Sequence, residues 1–242
     1  MNVRITLATA RRVLTQLGHD HRTVAMLLVV PCLLITLMWW VYDGGPVWGQ
    51  IGPALLVVFP FIMMFLVTSI ATLRERTSGT LERLLSMPTR KLDFLLGYAL
   101  AFGVVAILQA VLASVLAITL LDLEVAGPVA LLLTVAVLDA LLGVALGLFV
   151  SAFAKTEFQV VQFMPALVIP QILLCGLLLP RADLPTVLEV ISDVLPLSYA
   201  VDAMNEVQRV SEPSVLGDGT VVLAFTFSLL ALGATTLRRR TG

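Results

Sequence analysis

Six long apolar runs, at residues 24–42, 51–73, 94–121, 128–154, 158–179 and 220–237, are separated by short stretches that hold nearly all of the charge. Crossing roughly 30 Å of hydrocarbon takes about 20 helical residues, so each run is long enough to span a bilayer. The pattern predicts an all-α membrane protein with six transmembrane helices in a single transmembrane domain, residues 1–242. The third run would rise about 42 Å as a straight helix, so it is expected to tilt or to project beyond the membrane. Composition agrees. With 59% hydrophobic residues, 13% charged and a mean hydropathy of +1.02, the chain has more apolar surface than 242 residues can hide in one soluble core.

Charge adds orientation. The net charge is -1, yet thirteen of the 15 Lys and Arg residues fall before the first run, in residues 74–91, at Lys155 or at Arg238, Arg239 and Arg240. Only Arg181 and Arg209 fall elsewhere. The positive-inside rule then places both termini in the cytoplasm of a plasma-membrane protein and makes residues 180–219 external. Arg4, Arg11, Arg12 and Arg22 lead into the first run without a small-residue cleavage site, so the first span is expected to be retained. Cys32 and Cys175 lie in apolar runs, where a thiol acts as a small hydrophobe and a disulfide is not expected. Nothing suggests a nucleic-acid partner.

The polar segments carry patterns of their own. In residues 1–22, Val3, Leu7, Ala10, Leu14 and Leu17 recur at helical spacing, while Arg4, Arg11 and Arg12 lie mainly off that stripe. A basic amphipathic helix on the cytoplasmic membrane surface is expected; a disordered basic tail that only sets topology is the alternative. In residues 74–91, Leu81, Leu84 and Leu85 form one apolar stripe, Ser78 or Thr80 can cap its start, and Pro88 stops it within about two turns. Exposed leucines at helical spacing point to a docking helix for a partner rather than to a plain solvated loop.

Inside the runs, Asp139 falls near the middle of the fourth, where an ionised acid costs about 2.5 to 3.5 kcal/mol. Gln109 lies at similar depth in an antiparallel third run. A structural hydrogen bond between Gln109 and Asp139 is the preferred expectation, with a proton-relay or substrate role as the alternative. Ala140, Gly143, Gly147 and Ser151 make a small-residue face suited to close packing with a neighbouring helix. His19, Asp20 and His21 fit the headgroup region better than a metal site, and no metal is expected. No catalytic set emerges, since no histidine lies within a run.

The segment 74–88 resembles the coupling-helix region of the membrane subunits of type-2 ATP-binding-cassette (ABC) exporters, through Glu75, Gly79, Thr80, Leu81, Glu82, Leu84, Leu85 and Pro88. A second stretch, Gly176, Pro180, Leu184, Pro185, Leu188 and Ile191 followed by Pro196, Ser198, Tyr199 and Asp202, is similar to the family's extracellular segment of two short, partly re-entrant helices. Leu195 stands where asparagine is usual. The daunorubicin-type multidrug branch is the nearest in flavour. The resemblance implies a six-helix half-transporter that pairs with a second permease, identical or homologous, and with two copies of a separate ATPase. That ATPase would bind ATP and Mg; this chain has no phosphate-loop motif and is expected to be no enzyme by itself and to carry no cofactor. The first, second and fifth helices line the path in such proteins. That points to Trp39, Trp40, Phe59, Phe61, Met63, Met64, Phe163 and Met164, whose aromatic and thioether groups suit greasy cargo such as a drug, lipid or glycolipid. Plain packing or lipid contact remains the alternative for each. Two other functions stay open: an ATP-independent carrier or channel using Asp139, and a membrane scaffold or immunity-type protein.

Overall fold

A computed structural model describes residues 3–77 and 91–236. Ten α-helices and one short 3-10 turn make up the described residues: α1 Val3–His19, α2 His21–Val41, α3 Pro46–Thr77, α4 Lys91–Thr119, α5 Val129–Ser151, α6 Glu157–Leu167, α7 Ile169–Leu174, the turn Arg181–Asp183, α8 Thr186–Val194, α9 Pro196–Arg209 and α10 Leu216–Thr236. Six stretches are long and apolar enough to cross a membrane, the fifth being α6 and α7 taken together. The protein is an all-α, six-span membrane protein.

Three spans form the centre and three are attached to it. In α3, α4 and α5 more than half of the most apolar window is buried, whereas in α2, the fifth span and α10 only 17% is. The tightest seam joins α3 to α5. A Cβ on Gly143 would lie 2.6 Å from the Phe61 carbonyl oxygen, and one on Gly147 would lie 2.7 Å from that of Phe65. The small-residue face of the fourth run is therefore the surface on which the second span lies, backbone against backbone. Phe61 and Phe65 fill the gaps to either side and are fully buried.

The longest helix, α3, has 32 residues and rises about 48 Å, so its end projects beyond the hydrocarbon. There it meets α1, which lies across the start of α4. Thr6, Ala10 and Val13 are the buried residues of α1, and Thr9 sits so near Gly97 that a Cβ there would meet the threonine side chain at 2.6 Å. The expected stripe of Val3, Leu7, Ala10, Leu14 and Leu17 is thus split. Ala10 packs inward, while Val3 and Leu7 are each 57% exposed. The inward face is lined by small residues because α1 rests on a helix rather than on lipid alone. Asp20 separates α1 from α2 and caps the latter, accepting from the Thr23 backbone N–H at 3.1 Å and from its hydroxyl at 2.6 Å.

The fifth run, expected as one helix over 158–179, is broken. Pro170 has no N–H for the Ala166 carbonyl, and its ring crowds that turn, so α6 stops at Leu167 and α7 starts afresh at Ile169. Helix ends again at Leu174, and the chain turns at Gly176 with φ +92, a left-handed conformation that favours glycine. Beyond it, α9 buries Leu197, Ala200, Val201, Met204 and Val207 at helical spacing. The turn before α5 closes on the end of α9, with the Gly127 N–H donating to the Val207 carbonyl at 2.9 Å.

Candidate coupling and transport site

Of the segment expected to dock a partner, Gly79, Thr80, Leu81, Glu82, Leu84, Leu85 and Pro88 lie outside the described residues. Glu75 and its neighbours do not, and they show how that segment is tied to the bundle. Arg74, Glu75 and Arg76 are consecutive on the last turns of α3, so their side chains leave the helix about 100° apart. Arg74 reaches Glu157 at the start of α6, with its Nε donating at 2.6 Å. Glu75 receives both guanidinium nitrogens of Arg12 from α1, at 3.0 and 2.8 Å, and Arg12 also donates to the Tyr98 hydroxyl of α4 at 3.0 Å. Arg76 donates to the Ser151 carbonyl at the end of α5, one of the carbonyls that a helix leaves without an internal partner.

These links differ in strength. Arg74–Glu157 is open to solvent, with side chains 62% and 49% exposed, and an exposed pair contributes only about 0–1 kcal/mol. Arg12–Glu75 is bidentate and mostly covered, the kind of charge-assisted contact that also fixes geometry. For Arg12, partial burial disfavours the charged form, yet Glu75 and Tyr98 together outweigh it and hold the guanidinium above its ordinary pKa. Sequence reasoning reached Glu75 through the resemblance alone; Arg12, Tyr98 and Ser151 belong to other elements, and no spacing along the chain links them to it.

The expected hydrogen bond between Gln109 and Asp139 is absent. Gln109 donates instead to the Leu27 carbonyl of α2 at 2.8 Å, and Asp139 has both carboxyl oxygens buried without a hydrogen-bond partner. Similar depth does not ensure contact. Gln109 is turned toward α2, whereas the Asp139 carboxyl meets no hydrogen-bonding group.

The path candidates separate by burial. Phe61 and Met64 are fully buried in the protomer, so they pack α3 against its neighbours and do not line a surface in this conformation. Trp39, Phe59, Met63, Phe163 and Met164 are half-buried at the margin of the core. Trp40 is 75% exposed.

At the other end of the bundle, Pro196 starts α9, and Ser198 is buried with its hydroxyl 3.0 Å from that of Ser192. The Tyr199 hydroxyl donates to the Asp193 carbonyl at 2.7 Å. Asp202 pairs with Arg181, which also pairs with Asp193 and lies 5.2 Å above the Tyr199 ring. Burial raises the Asp202 carboxyl above its usual range, and Arg181 offsets part of that. Arg181 was not among the expected site residues; its being one of two basic residues in an acidic segment was the available signal. His19 and Asp20 are used at the α1–α2 junction, with His19 Nδ1 2.6 Å from the Thr15 carbonyl. Among the described residues no group of three or more His, Cys, Asp or Glu is placed to hold a metal.

Six apolar spans, a long helix clamped at its projecting end and a broken fifth span describe a polytopic membrane protein of the permease class. Residues 5–208 match the family described as ABC-2 type transporter, and the chain belongs to that family. It is similar to a probable multidrug ABC transporter permease, YbhR, of Escherichia coli strain K12, at 28% identity over 64% of this chain and 42% of the relative. It is also similar to the linearmycin resistance permease protein LnrN of Bacillus subtilis strain 168, at 27% identity over 74% and 47%. A further relative is the ABC transporter G family member 20 of Dictyostelium discoideum, at 25% identity over 65% of this chain and 22% of that one. The chain thus spans less than half of these three relatives.

Proposed function

We propose that the chain is the membrane-spanning subunit of an ATP-driven exporter that moves a hydrophobic drug, lipid or glycolipid outward by alternating access. It works with two copies of a separate ATPase and with a second permease, identical or homologous. The observation that carries this reading is the junction at Arg74, Glu75 and Arg76. A helix leading into residues 78–90 is bound within one turn to α1, α4, α5 and α6. Displacement of that segment by a partner would pass first to α1 through the bidentate Arg12–Glu75 pair and from Arg12 to α4, with the exposed Arg74–Glu157 pair as a weaker link to the fifth span. Trp39, Trp40, Phe59, Met63, Phe163 and Met164 supply apolar walls for greasy cargo between two such subunits.

The test is mutation of the docking segment. Glu82→Arg and Leu84→Asp should leave membrane insertion intact and lower co-purification and stimulation of the ATPase, because they fall in the charged stretch between the second and third apolar runs rather than in a span. Parental binding and stimulation in both variants would sink the reading.

The distribution of basic residues supports a cytoplasmic position for both termini. A cysteine replacing Gly217 has open space around its Cβ and should react with an impermeant maleimide from outside intact cells. A cysteine replacing Ser86 should react only after the membrane is opened, and the reverse pattern would invert the topology. One observation favours a second reading, an ATP-independent carrier: Asp139 is buried with no partner that would explain it structurally.

A further inference from the structure

Where α1 crosses α4 lies an open groove of about 520 Å³ lined by Leu7, Ala10, Arg11, Leu14, Thr15, Leu100 and Val104. Its floor is Ala10, and its walls are two leucines from α1 and an exposed Leu100 and Val104 from α4. Along one rim stands Arg11. Seven residues earlier, two turns back on the same side of the helix, is Arg4, also exposed.

The five arginines of α1 and of the end of α3 fall into two groups. Arg12 and Arg76 turn into the bundle and are held by Glu75 and the Ser151 carbonyl, and Arg74, though exposed, is paired with Glu157. Arg11 lines the groove and Arg4 is exposed on the same side of α1, and among the described residues neither makes an ion pair. No acidic residue lines the groove. An apolar trough beside an unpaired cation, at the level where a helix meets the headgroups, is complementary to a molecule with an anionic head and an alkyl tail. We propose that this groove holds one anionic glycerophospholipid, its phosphate on Arg11 and its acyl chain against Leu7, Leu14, Leu100 and Val104. The proposal needs only that the chain spans a membrane, so it stands or falls independently of the exporter reading. Since α1 also supplies Arg12 to the Glu75 junction, an occupied groove would brace the same helix on a second face.

Native mass spectrometry of the full chain, purified and supplied with equal phosphatidylglycerol and phosphatidylcholine of matched acyl chains, tests this directly. One phosphatidylglycerol per chain should be retained in preference to phosphatidylcholine. Arg11→Gln should lower that preference about fivefold, the value of one basic residue at an anionic surface. Val104→Trp should fill the trough and displace the lipid while leaving Arg11 in place. Arg22→Gln, an equal loss of charge at an exposed position outside the groove, should change nothing. Equal retention of the two lipids, or an equal loss in Arg11→Gln and Arg22→Gln, would overturn the proposal. A change in the number of chains per particle in Val104→Trp, with lipid retention unaltered, would overturn it in favour of a second copy as the occupant.

Discussion

Replacing Gly143 and Gly147 by alanine should strip the protein of much of its stability. At both positions the atom that a new Cβ meets is a backbone oxygen of α3, at 2.6 Å for Phe61 and 2.7 Å for Phe65, and no side-chain rotation can clear it. The two helices must separate, which opens the seam that organises the three central spans. Overpacking of this kind costs about 1–3 kcal/mol at one site, and two sites on one seam do not act independently. Set against a folding stability of about 5–15 kcal/mol, the double variant should accumulate poorly and melt well below the parent. Gly49→Ala is the control, since nothing lies within 4 Å of its Cβ. Thermal denaturation of the purified variants decides the matter; a double variant that melts with the parent would show that the α3–α5 seam has slack.

Asp139 should behave in the opposite way. A carboxyl group buried without a hydrogen bond costs about 1–3 kcal/mol, so Asp139→Val should raise thermal stability by that order. Asp139→Asn should fold normally. Export should nonetheless fall in both, because a destabilising acid at membrane depth is a functional feature by default. Stability and transport then move apart, whereas a structural acid would lose both together. Measuring melting and efflux on the same preparations separates the cases. Stable variants that export like the parent would remove Asp139 from the mechanism, and the carrier reading with it.

Much of the fold was legible because a bilayer imposes a length rule, and six runs obeyed it. The small-residue face of the fourth run was also legible, since 143 and 147 are one turn apart and only close packing makes use of two glycines there. What the sequence did not reveal is rotation. Depth along a helix can be counted, which brought Gln109 and Asp139 level, but the direction each faces depends on how the helices are turned about their axes. The same gap explains α1, whose buried side is set by α4 beneath it and not by its most apolar residues. The clamp on α3 joins residues 63 and 83 positions apart, beyond any local pattern. The break at Pro170 was readable in principle, but the apolar character of the run continues through it.

That break leaves a geometric consequence for the lipid around the protein. The fifth span has only 18 helical-length residues, Glu157–Leu174, rising about 27 Å even if straight, against a hydrocarbon thickness of about 30 Å. Beside it α3, at 32 residues, is far longer than the bilayer is thick. A long span can tilt or project, whereas one shorter than the hydrocarbon cannot, so the bilayer is expected to thin next to α6 and α7. An amphiphile moving between leaflets where the bilayer thins has a shorter stretch of hydrocarbon to cross.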